Sequence, residues 1–369
     1  MTQAILVLNS GSSSLKFGVF IARDGDEAAW LSGSAKGIGR ASGSLSMRSS
    51  DGKIDIAQDH LMESQHDALQ RVADALASHL REPLAGVGHR IVHGGGPHVR
   101  MHGEITASVK DALREAIPFA PLHLPQSLAL VDEAQRIFPN VPHFACFDTA
   151  FHRTMPERAQ RFALPREYAE RGVVRYGFHG LSYESIVNTL GARLPSRVVI
   201  AHLGSGASLC AVKDGRSVDT SMGMTPTGGI PMATRSGDLD PGVLLHLLRH
   251  EARDADALET LVNRASGMKG LSGSDDDMEG LLARRDRGDA DAALAIDVFC
   301  TAVRKHIGAY AALLGGVDLI VFSGGIGEHA EAIRTQILEG LGFLHAEHRV
   351  VATDEERQIA RHCRRMLAH

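Results

Sequence analysis

The sequence has few cysteines, no long apolar run and no secretory signal. Its four cysteines, Cys146, Cys210, Cys300 and Cys363, form no CxxC pair, which argues against a disulfide framework and predicts reduced thiols. No apolar run approaches the roughly 18 residues that a membrane span needs. The N-terminal stretch MTQAILVLNS has no basic region and no cleavage site. We therefore expect a cytoplasmic protein without a membrane partner.

A large excess of charge is also missing. The formal net charge is −5 and the pI is about 6.5, so the chain has no general attraction to nucleic acid or to an anionic membrane. Basic residues that matter should therefore act locally, on a small ligand. The length of 369 residues is sufficient for two domains, each with its own core.

Two segments of the chain resemble each other. Residues 4–20 and 198–215 both read as an apolar strand, a Gly/Ser turn and a second strand. The first contains Lys16, but Leu15 precedes this lysine where a P-loop has glycine. Each segment should form a hairpin whose turn exposes backbone N–H groups, a geometry that binds anions. One such hairpin in each half suggests two related domains.

The remaining pattern alternates strands and helices. In the first half the apolar spacing predicts a hairpin around Asp51 and Gly52, and three helices and two buried strands follow. These helices are expected at 66–82, 107–117 and 126–137. One strand is expected in LAGVGHRIVHGG, where it enters a glycine turn, and the other at 141–147. In the second half we expect helices at 241–250, 255–265 and 289–314, after a long turn-rich stretch that suggests a functional loop. A capping box formed by Thr353 and Glu356 should begin the last helix. The alternation predicts an α/β fold.

Several charged residues lie beside glycines or aromatics, in GHRIVHGG, CFDTAFH, RYGFHG and ATRSGDLDP. They are Arg90, Asp148, His179 and Arg235. Phosphoryl transfer needs cations around the moving group, a carboxylate that organises the site, and a hydrogen-bond donor. A further segment, VFSGGIGEHAEAIR, places Gly324, Gly325 and Gly327 between a strand and a helix, as in many phosphate sites. Singly, each of these features also fits a surface ion pair or a structural turn.

Other metal patterns are incomplete. His93, His98 and His102 lie close together, but no HExxH or Cys/His spacing accompanies them, so we interpret them as loop histidines. Asp275, Asp276 and Asp277 lack the spacing of an EF-hand and suit a helix N-terminus instead.

Ten motifs together resemble the acetate and propionate kinase family in their order along the chain. They are LNSGSSSLKF, GHRIVHGG, APLHLPQS, FDTAFH, RYGFHGLS, HLGSGAS, DTSMGMTP, ATRSGDLDPG, FSGGIGEH and TDEE. The resemblance extends from Asn9 to about Ala360. It implies two actin-like (ribonuclease H-like) α/β domains, each a five-stranded mixed sheet with helices, and a nucleotide cleft between them. The domains would span 1–149 and 150–357, with the terminal helix 358–369 as a candidate addition to the first. A homodimer is also implied.

The resemblance further implies roles for individual residues. Asn9 and Glu355 would hold Mg²⁺, for which Mn²⁺ can substitute, while Asp148, His179, Arg235 and Arg90 would be catalytic. Arg90 would also bind the substrate, in a pocket lined by Val92, Leu122, Phe178 and Pro226. The ATP or ADP site would comprise Ser12, Ser14, Lys16, His202, Leu203, Gly204, Ser205, Gly206, Asp277, Met278, Glu279, Gly325, Ile326, Gly327, Glu328 and His329.

The implied reaction is reversible transfer of the ATP γ-phosphoryl to the carboxylate of acetate, giving acetyl phosphate and ADP. A short carboxylic acid with a pKa near ~4.3 is ionised at neutral pH and needs no general base. Asp148 is therefore expected to organise the site rather than accept a proton. The implied acyl pocket is apolar and should be narrowed by β-branched Val92, which favours acetate. Because one more methylene changes discrimination by only ~1 to 3 kcal/mol, propionate is expected as a slower substrate.

Alternatives remain on the acyl and nucleotide sides. Propionate or another short acid could be the acceptor, and a donor other than ATP is open because Met278, Glu279, His329 and Ser205 depart from the family pattern, as does Leu124. A degenerate nucleotide-binding switch would not need the four catalytic residues. A sugar kinase would need a polar pocket.

Overall fold

The computed structural model describes residues 3–11, 14–59, 62–94, 101–121, 123–251, 253–274 and 277–368. The expected site residues Ser12 and Leu122 lie outside the described residues, as do His98, Asp275 and Asp276.

Thirteen strands occur in the described residues. They are β1 (Ala4–Gly11), β2 (Ser14–Arg23), β3 (Asp26–Lys36), β4 (Ser44–Ser49), β5 (Asp55–Asp59), β6 (Leu84–Ile91), β7 (Gly103–Glu104), β8 (His143–Phe147), β9 (Arg197–Leu203), β10 (Ala207–Lys213), β11 (Arg216–Thr220), β12 (Leu319–Ser323) and β13 (Glu347–Val350).

Fourteen α-helices occur in the same ranges, together with short 3₁₀ turns. They are α1 (Gln65–His79), α2 (Ala107–Glu115), α3 (Leu124–Ile137), α4 (Glu157–Gln160), α5 (Arg166–Glu170), α6 (Gly180–Leu190), α7 (Pro241–His250), α8 (Ala255–Arg264), α9 (Gly267–Ser272), α10 (Met278–Asp286), α11 (Ala290–Leu314), α12 (Gly324–His329), α13 (Glu331–Leu338) and α14 (Glu355–Leu367).

The chain divides into two compact units. The first contains residues 1–150, 180–185 and 354–369, and the second contains 151–179 and 186–353. In the first, the described strands form a sheet of order β5-β4-β3-β2-β1-β6-β8-β7. β1 is antiparallel to β2 and parallel to β6. This central strand is apolar throughout, because Leu6 and Leu8 enter one core cluster while Ile5 and Val7 enter another.

The second unit contains a sheet of order β11-β10-β9-β12-β13. Its strand directions repeat those of β3-β2-β1-β6-β8: two antiparallel pairings are followed by two parallel ones. The two predicted hairpins, β1–β2 and β9–β10, occupy equivalent positions in the two sheets. Both hairpin predictions and the α/β class with two mixed sheets are confirmed.

The last helix belongs to the first unit. α14 packs on β1, β6 and β3 and buries Ile359, Ala360 and Cys363. A Cβ atom on Gly88 of β6 would lie 2.6 Å from both Cys363 Sγ and Ile359 Cγ2, so the helix can approach this closely only because residue 88 is glycine. The same helix begins with Glu355, so this packing positions an expected site residue.

Two details differ from expectation. The first sheet has eight described strands where five were expected, because β4 and β5 extend one edge and β7 pairs with β8 at the other. The expected capping box of Thr353 and Glu356 is wrong, since the N-cap of α14 is Asp354, whose side chain accepts from the Arg357 backbone N–H. Among the described residues, no helix combines the length and apolarity needed to cross a bilayer.

Candidate active site

Arg90 and Asp148 form a bidentate pair at the ends of adjacent parallel strands. Arg90 Nε donates to Asp148 Oδ1 at 3.1 Å, and Nη2 donates to Oδ2 at 2.7 Å. Asp148 is 1% exposed, and its backbone N–H donates to the Ile91 carbonyl, which ties the end of β8 to β6. Both carboxylate oxygens are therefore used in orienting one guanidinium.

Oxygen acceptors from distant segments meet at the same guanidinium. Arg90 Nη1 donates to Asn9 Oδ1 at 3.3 Å and lies 3.3 Å from Glu355 Oε2. Asn9 Nδ2 in turn donates to Glu356 Oε1 at 3.2 Å. Asn9 and Glu355 are each 8% exposed. The structure thus brings together the two expected metal ligands and two expected catalytic residues.

The ionisation of this cluster reflects its burial. Burial acts to lower the pKa of Arg90, but the nearby carboxylates of Asp148 and Glu355 outweigh it, and the pKa is raised. Burial raises the pKa of Glu355 above its ordinary value, although Arg90 and Lys16 act in the opposite direction. Three carboxylates facing one guanidinium leave an acidic cluster, which favours a further cation.

Three other expected site residues of the first unit, Ser14, Lys16 and Val92, are close in sequence to Asn9 or Arg90. Lys16 is exposed on β2, in register with Asn9 on β1, and it acts electrostatically on Glu355. Ser14 begins β2, and Val92 directly follows β6; both are half-buried. Lys16 therefore lies directly across the β1–β2 pairing from Asn9, and its charge acts on Glu355 of the acidic cluster.

In the second unit, His179 is held in an uncommon backbone conformation. It precedes α6 with φ of 57°, in the left-handed region that residues other than glycine rarely adopt. Its Nδ1 forms a hydrogen bond with Ser208 Oγ at 2.8 Å, and its ring lies 4.4 Å from that of His202 between centroids. Strain of this kind often accompanies a functional side chain.

Gly206 lies beside His179 and Arg235. A Cβ atom on Gly206 would lie 3.5 Å from His179 Nε2 and 3.7 Å from Arg235 Nη1. The same Nη1 donates to the Pro226 carbonyl at 3.2 Å. Burial lowers the pKa of Arg235 from its ordinary value. The turn between β9 and β10 therefore places the backbone of Gly206, without a side chain, next to the His179 imidazole and the Arg235 guanidinium.

A second glycine turn approaches the same hairpin. Gly324 has φ of 75°, and a Cβ there would lie 2.7 Å from the Leu203 carbonyl oxygen. The Gly324 N–H donates to Glu328 Oε1 at 3.0 Å. Gly325 is exposed with open space around it, whereas Gly327 is buried against Phe322. Gly325 is therefore the glycine of this turn that a ligand can approach.

The remaining expected nucleotide residues differ in exposure. Ile326, Glu328, His202 and Gly204 are half-buried, Ser205 and His329 are exposed, and Leu203 is buried. Asp277 caps α10 by accepting from the Gly280 N–H, as expected for an acid at a helix N-terminus. Met278 is 5% exposed and Glu279 is exposed. The Met278 side chain is thus part of the core of its unit.

The residues that the resemblance assigns to an acyl pocket belong to different units. Val92 belongs to the first unit, while Phe178 and Pro226 belong to the second. Phe178 is 1% exposed, and its carbonyl accepts from His152 Nε2 at 2.9 Å.

Sequence reasoning missed two residues of these groups. Ser208, which contacts His179, stands in the quoted motif HLGSGAS, so its position was visible although its partner was not. Glu356 was assigned to a helix cap, whereas it accepts from Asn9. Two consecutive acids in the first turn of α14 were the available signal.

Known proteins resemble this chain over nearly its whole length. The model of the Acetokinase family matches residues 4–367. An acetate kinase of Clavibacter michiganensis subsp. michiganensis is 44% identical over 351 residues, which are 92% of this chain and 87% of that protein. An acetate kinase of Methylocella silvestris is 39% identical over 407 aligned positions, covering 100% of this chain and 98% of the relative.

Two solved structures are similar to the whole chain. The acetate kinase of Porphyromonas gingivalis has a TM-score of 0.87 and 33% identity, with 99% of this chain and 100% of that chain covered. A propionate kinase from Francisella tularensis subsp. tularensis has a TM-score of 0.89 and 32% identity, with 97% and 98% covered.

Proposed function

Because this chain belongs to the acetokinase family, we propose that it transfers the γ-phosphoryl group of ATP reversibly to the carboxylate of acetate, giving acetyl phosphate and ADP. The observation that supports this most directly is the Arg90–Asp148 pair, buried together with Asn9 and Glu355. A guanidinium fixed in this way can bind a carboxylate or a phosphoryl group without losing its orientation.

Asp148 acts as an organiser in this proposal. Acetate is ionised at neutral pH, so no residue has to remove a proton from it. Asp148 already accepts two hydrogen bonds from Arg90, and its pairing keeps the guanidinium charged and aimed. The chemical obstacle is the approach of one anion to another, which Arg90 reduces by offsetting negative charge.

The second unit supplies a further imidazole and guanidinium. A phosphate group placed against Gly206 would be within reach of His179 Nε2 and Arg235 Nη1, judged from the Cβ distances of 3.5 and 3.7 Å. Ser208 contacts Nδ1 of the histidine, and Nε2 lies on the side of Gly206. These groups would stabilise charge on the equatorial oxygens of the transferring phosphoryl. The remaining expected residues of the β9–β10 hairpin and of α12 would bind the rest of the nucleotide.

Magnesium fits the first-unit cluster by its chemistry. The Asn9 amide oxygen and the Glu355 carboxylate are hard oxygen donors, and the excess of carboxylates over cations there would be offset by a divalent ion. We propose that these two residues hold Mg²⁺, with Mn²⁺ as a substitute. When bound, the ion would neutralise phosphate charge.

Propionate is a second candidate acceptor, because the chain is also similar to a solved propionate kinase. The residues expected to line the acyl pocket, Val92, Leu122, Phe178 and Pro226, are all apolar side chains, which suit either a methyl or an ethyl group. We favour acetate because β-branched Val92 restricts the space.

The proposal is tested by trapping acyl phosphate as its hydroxamate. Acetate, propionate and butyrate are each combined with ATP, GTP and pyrophosphate, and the Arg90→Ala variant serves as the control. We expect most product from acetate with ATP. A complete lack of product with every combination would contradict a kinase, and a higher kcat/KM for propionate would transfer the assignment to the second candidate.

Domain limits, oligomeric state and location complete the proposal. We propose a domain limit near residue 150, which the division into compact units supports, with α14 joined to the first domain.

A homodimer is supported by exposed apolar residues around α7. These are Leu239, Val243, Leu245 and Leu248, which are 41 to 46% exposed. Light scattering of a Leu245→Lys variant tests this contact, and an unchanged mass would refute it. A cytoplasmic location is supported by the four free, buried cysteines.

A further inference from the structure

Three side chains from distant segments of the first unit lie close together. His102 precedes β7, Glu184 lies on α6, and His362 lies on α14. One potential ligand atom from each residue lies within 4.8 Å of the other two. His362 is buried, and the other two are half-buried, so an ion can reach the group from solvent.

Two polar neighbours place opposite demands on the protonation of His362 Nε2. Glu184 Oε2 lies 2.7 Å from this nitrogen, and Gln358 Nε2 lies 3.1 Å from it. A protonated Nε2 would suit the carboxylate but oppose the amide N–H, and an unprotonated one would do the reverse. The Gln358 amide orientation is set by Arg361 Nη1, which donates to its Oε1 at 3.4 Å. A cation bound to Nε2 and to the carboxylate would satisfy these two groups, and the Gln358 amide N–H would then need another acceptor.

We propose that His102, Glu184 and His362 form a binding site for Zn²⁺ or a similar transition-metal ion. Two imidazoles and one carboxylate are a ligand set typical of zinc, with a fourth position left for water. Magnesium prefers oxygen ligands only, so the expected Mg²⁺ ligands Asn9 and Glu355 would not compete for the same ion. The site was invisible in the sequence because its ligands are separated by 82 and 178 positions along the chain.

Binding has a definite structural cost at His102. The Phe147 backbone N–H donates to His102 Nδ1 at 3.0 Å, so a neutral ring carries its proton on Nε2. Coordination through Nε2 moves that proton to Nδ1, and the Phe147 N–H then loses its acceptor. We therefore expect weaker binding than in structural zinc sites of cysteine. We also expect faster amide exchange at Phe147 when the metal is bound.

The site would stabilise the first unit. It would connect α6, α14 and the segment before β7, and a ligand that binds only the folded state raises stability by mass action. Because α14 also carries Glu355, the metal would strengthen the attachment of the helix that supplies the expected Mg²⁺ ligand.

The test uses the full chain, treated with a chelator and then dialysed against ZnCl₂ or CoCl₂. We expect one bound metal ion per chain, Co²⁺ absorption bands of low-coordinate N/O ligation, and a higher unfolding temperature with Zn²⁺. Glu184→Gln keeps the size of the side chain but removes the charge, and should weaken Zn²⁺ binding by at least about tenfold. His102→Asn should have a similar effect.

A matched control is available on α7. His246 and His250 lie one turn apart with ring centroids 4.9 Å apart, a spacing that can also bind zinc at a surface. The double variant His246→Asn/His250→Asn should retain the ion bound by His102, Glu184 and His362. Loss of that ion in this double variant, or equal Zn²⁺ affinity in wild type and Glu184→Gln, would overturn the proposal. The kinase activity of Glu184→Gln is measured separately with Mg²⁺ alone, so that failure of the zinc proposal can be told apart from failure of the proposed function.

Discussion

Ser208 Oγ and His179 Nδ1 lie 2.8 Å apart, so a fully buried hydroxyl on β10 orients the histidine that begins α6. The contact fixes one ring nitrogen and leaves the other toward Gly206. Since the backbone of His179 is already held at a positive φ, both the main chain and the ring of this residue are constrained. Such rigidity is what a transition-state donor requires.

Ser208→Ala should lower kcat by about 10- to 100-fold with little change in KM. Without the hydroxyl the His179 ring is free to tilt, and its Nε2 is then less well oriented toward the transition state. The measurement is steady-state kinetics of hydroxamate formation. Ser217 provides the matched control, since its buried hydroxyl bonds to His152 Nδ1 at 2.9 Å in the same unit. Ser217→Ala should reduce stability but retain kcat. Equal kcat values for wild type and Ser208→Ala would show that the hydroxyl has only a structural role.

Arg90→Ala should lower kcat by about 100-fold or more, since it removes a fixed cation from the charge that develops in transfer. Arg90→Lys should recover only part of this loss, because an ammonium cannot form the paired hydrogen bonds to Asp148. Arg364, which forms a bidentate pair with Glu27 at 2.8 and 3.0 Å, is the control in the same unit. Near-normal turnover in Arg90→Ala, or an equal kinetic loss in Arg364→Ala, would refute the assigned role.

Gly206→Ala should fold normally but bind ATP poorly. The new methyl would make ordinary contacts of 3.5 and 3.7 Å with His179 and Arg235, so it does not strain the fold. It would nevertheless occupy the surface proposed for phosphate. We expect a rise in KM for ATP of about tenfold, which corresponds to a loss of about 1.4 kcal/mol.

Gly308→Ala is the control for the Gly206 variant. Its Cβ meets nothing within 4 Å, and its position inside α11 predicts a gain in stability of about 0.5 to 1 kcal/mol with unchanged kinetics. An unchanged KM for ATP in Gly206→Ala would place the phosphate elsewhere.

His152 should make the protein sensitive to acid. Burial lowers the pKa of His152 to about 4, although its bond to the Phe178 carbonyl acts in the opposite direction. The unfolded chain, with a histidine pKa near 6.5, binds this proton at a higher pH than the folded protein does. Stability from this group is therefore complete above about pH 6.5 and decreases as the pH falls toward 4.

Between pH 7 and pH 5 this one histidine should reduce the free energy of unfolding by about 2 kcal/mol. Denaturant unfolding of wild type and His152→Gln at both pH values measures the difference. The variant should be less stable at pH 7 but lose less stability on acidification. Identical losses in the two proteins would mean that His152 is not neutral in the fold.

Hydrophobic periodicity and turn residues were sufficient to predict much of the fold from the sequence. The helix expected at 289–314 is found at Ala290–Leu314, between an Asp289 N-cap and Gly315 in the left-handed conformation. Both Gly/Ser hairpins are present because their flanking runs are continuously apolar. The family resemblance is confirmed by the match to residues 4–367.

The parts that the sequence did not reveal depend on distant pairing. Asn9 and Glu356 are 347 positions apart, and no local pattern shows that the acid prefers the amide to a helix cap. The extra edge strand β7 is only two residues long, too short for any alternation to detect. The roles of the site residues toward ligands remain predictions for the experiments above.

The attachment of α14 has a consequence for the biosynthesis of the protein. Glu355 and the helix that covers Ile5 and Val7 come from the far end of the described chain, whereas Asn9 and β1 are made first. A ribosome therefore has to translate more than three hundred codons before the first sheet can be covered on this face. Until then the nascent first unit exposes an apolar surface that molecular chaperones recognise, and it has no complete carboxylate cluster. Premature termination before residue 355 would accordingly yield a chain that exposes this apolar face and lacks the Glu355 carboxylate beside Arg90.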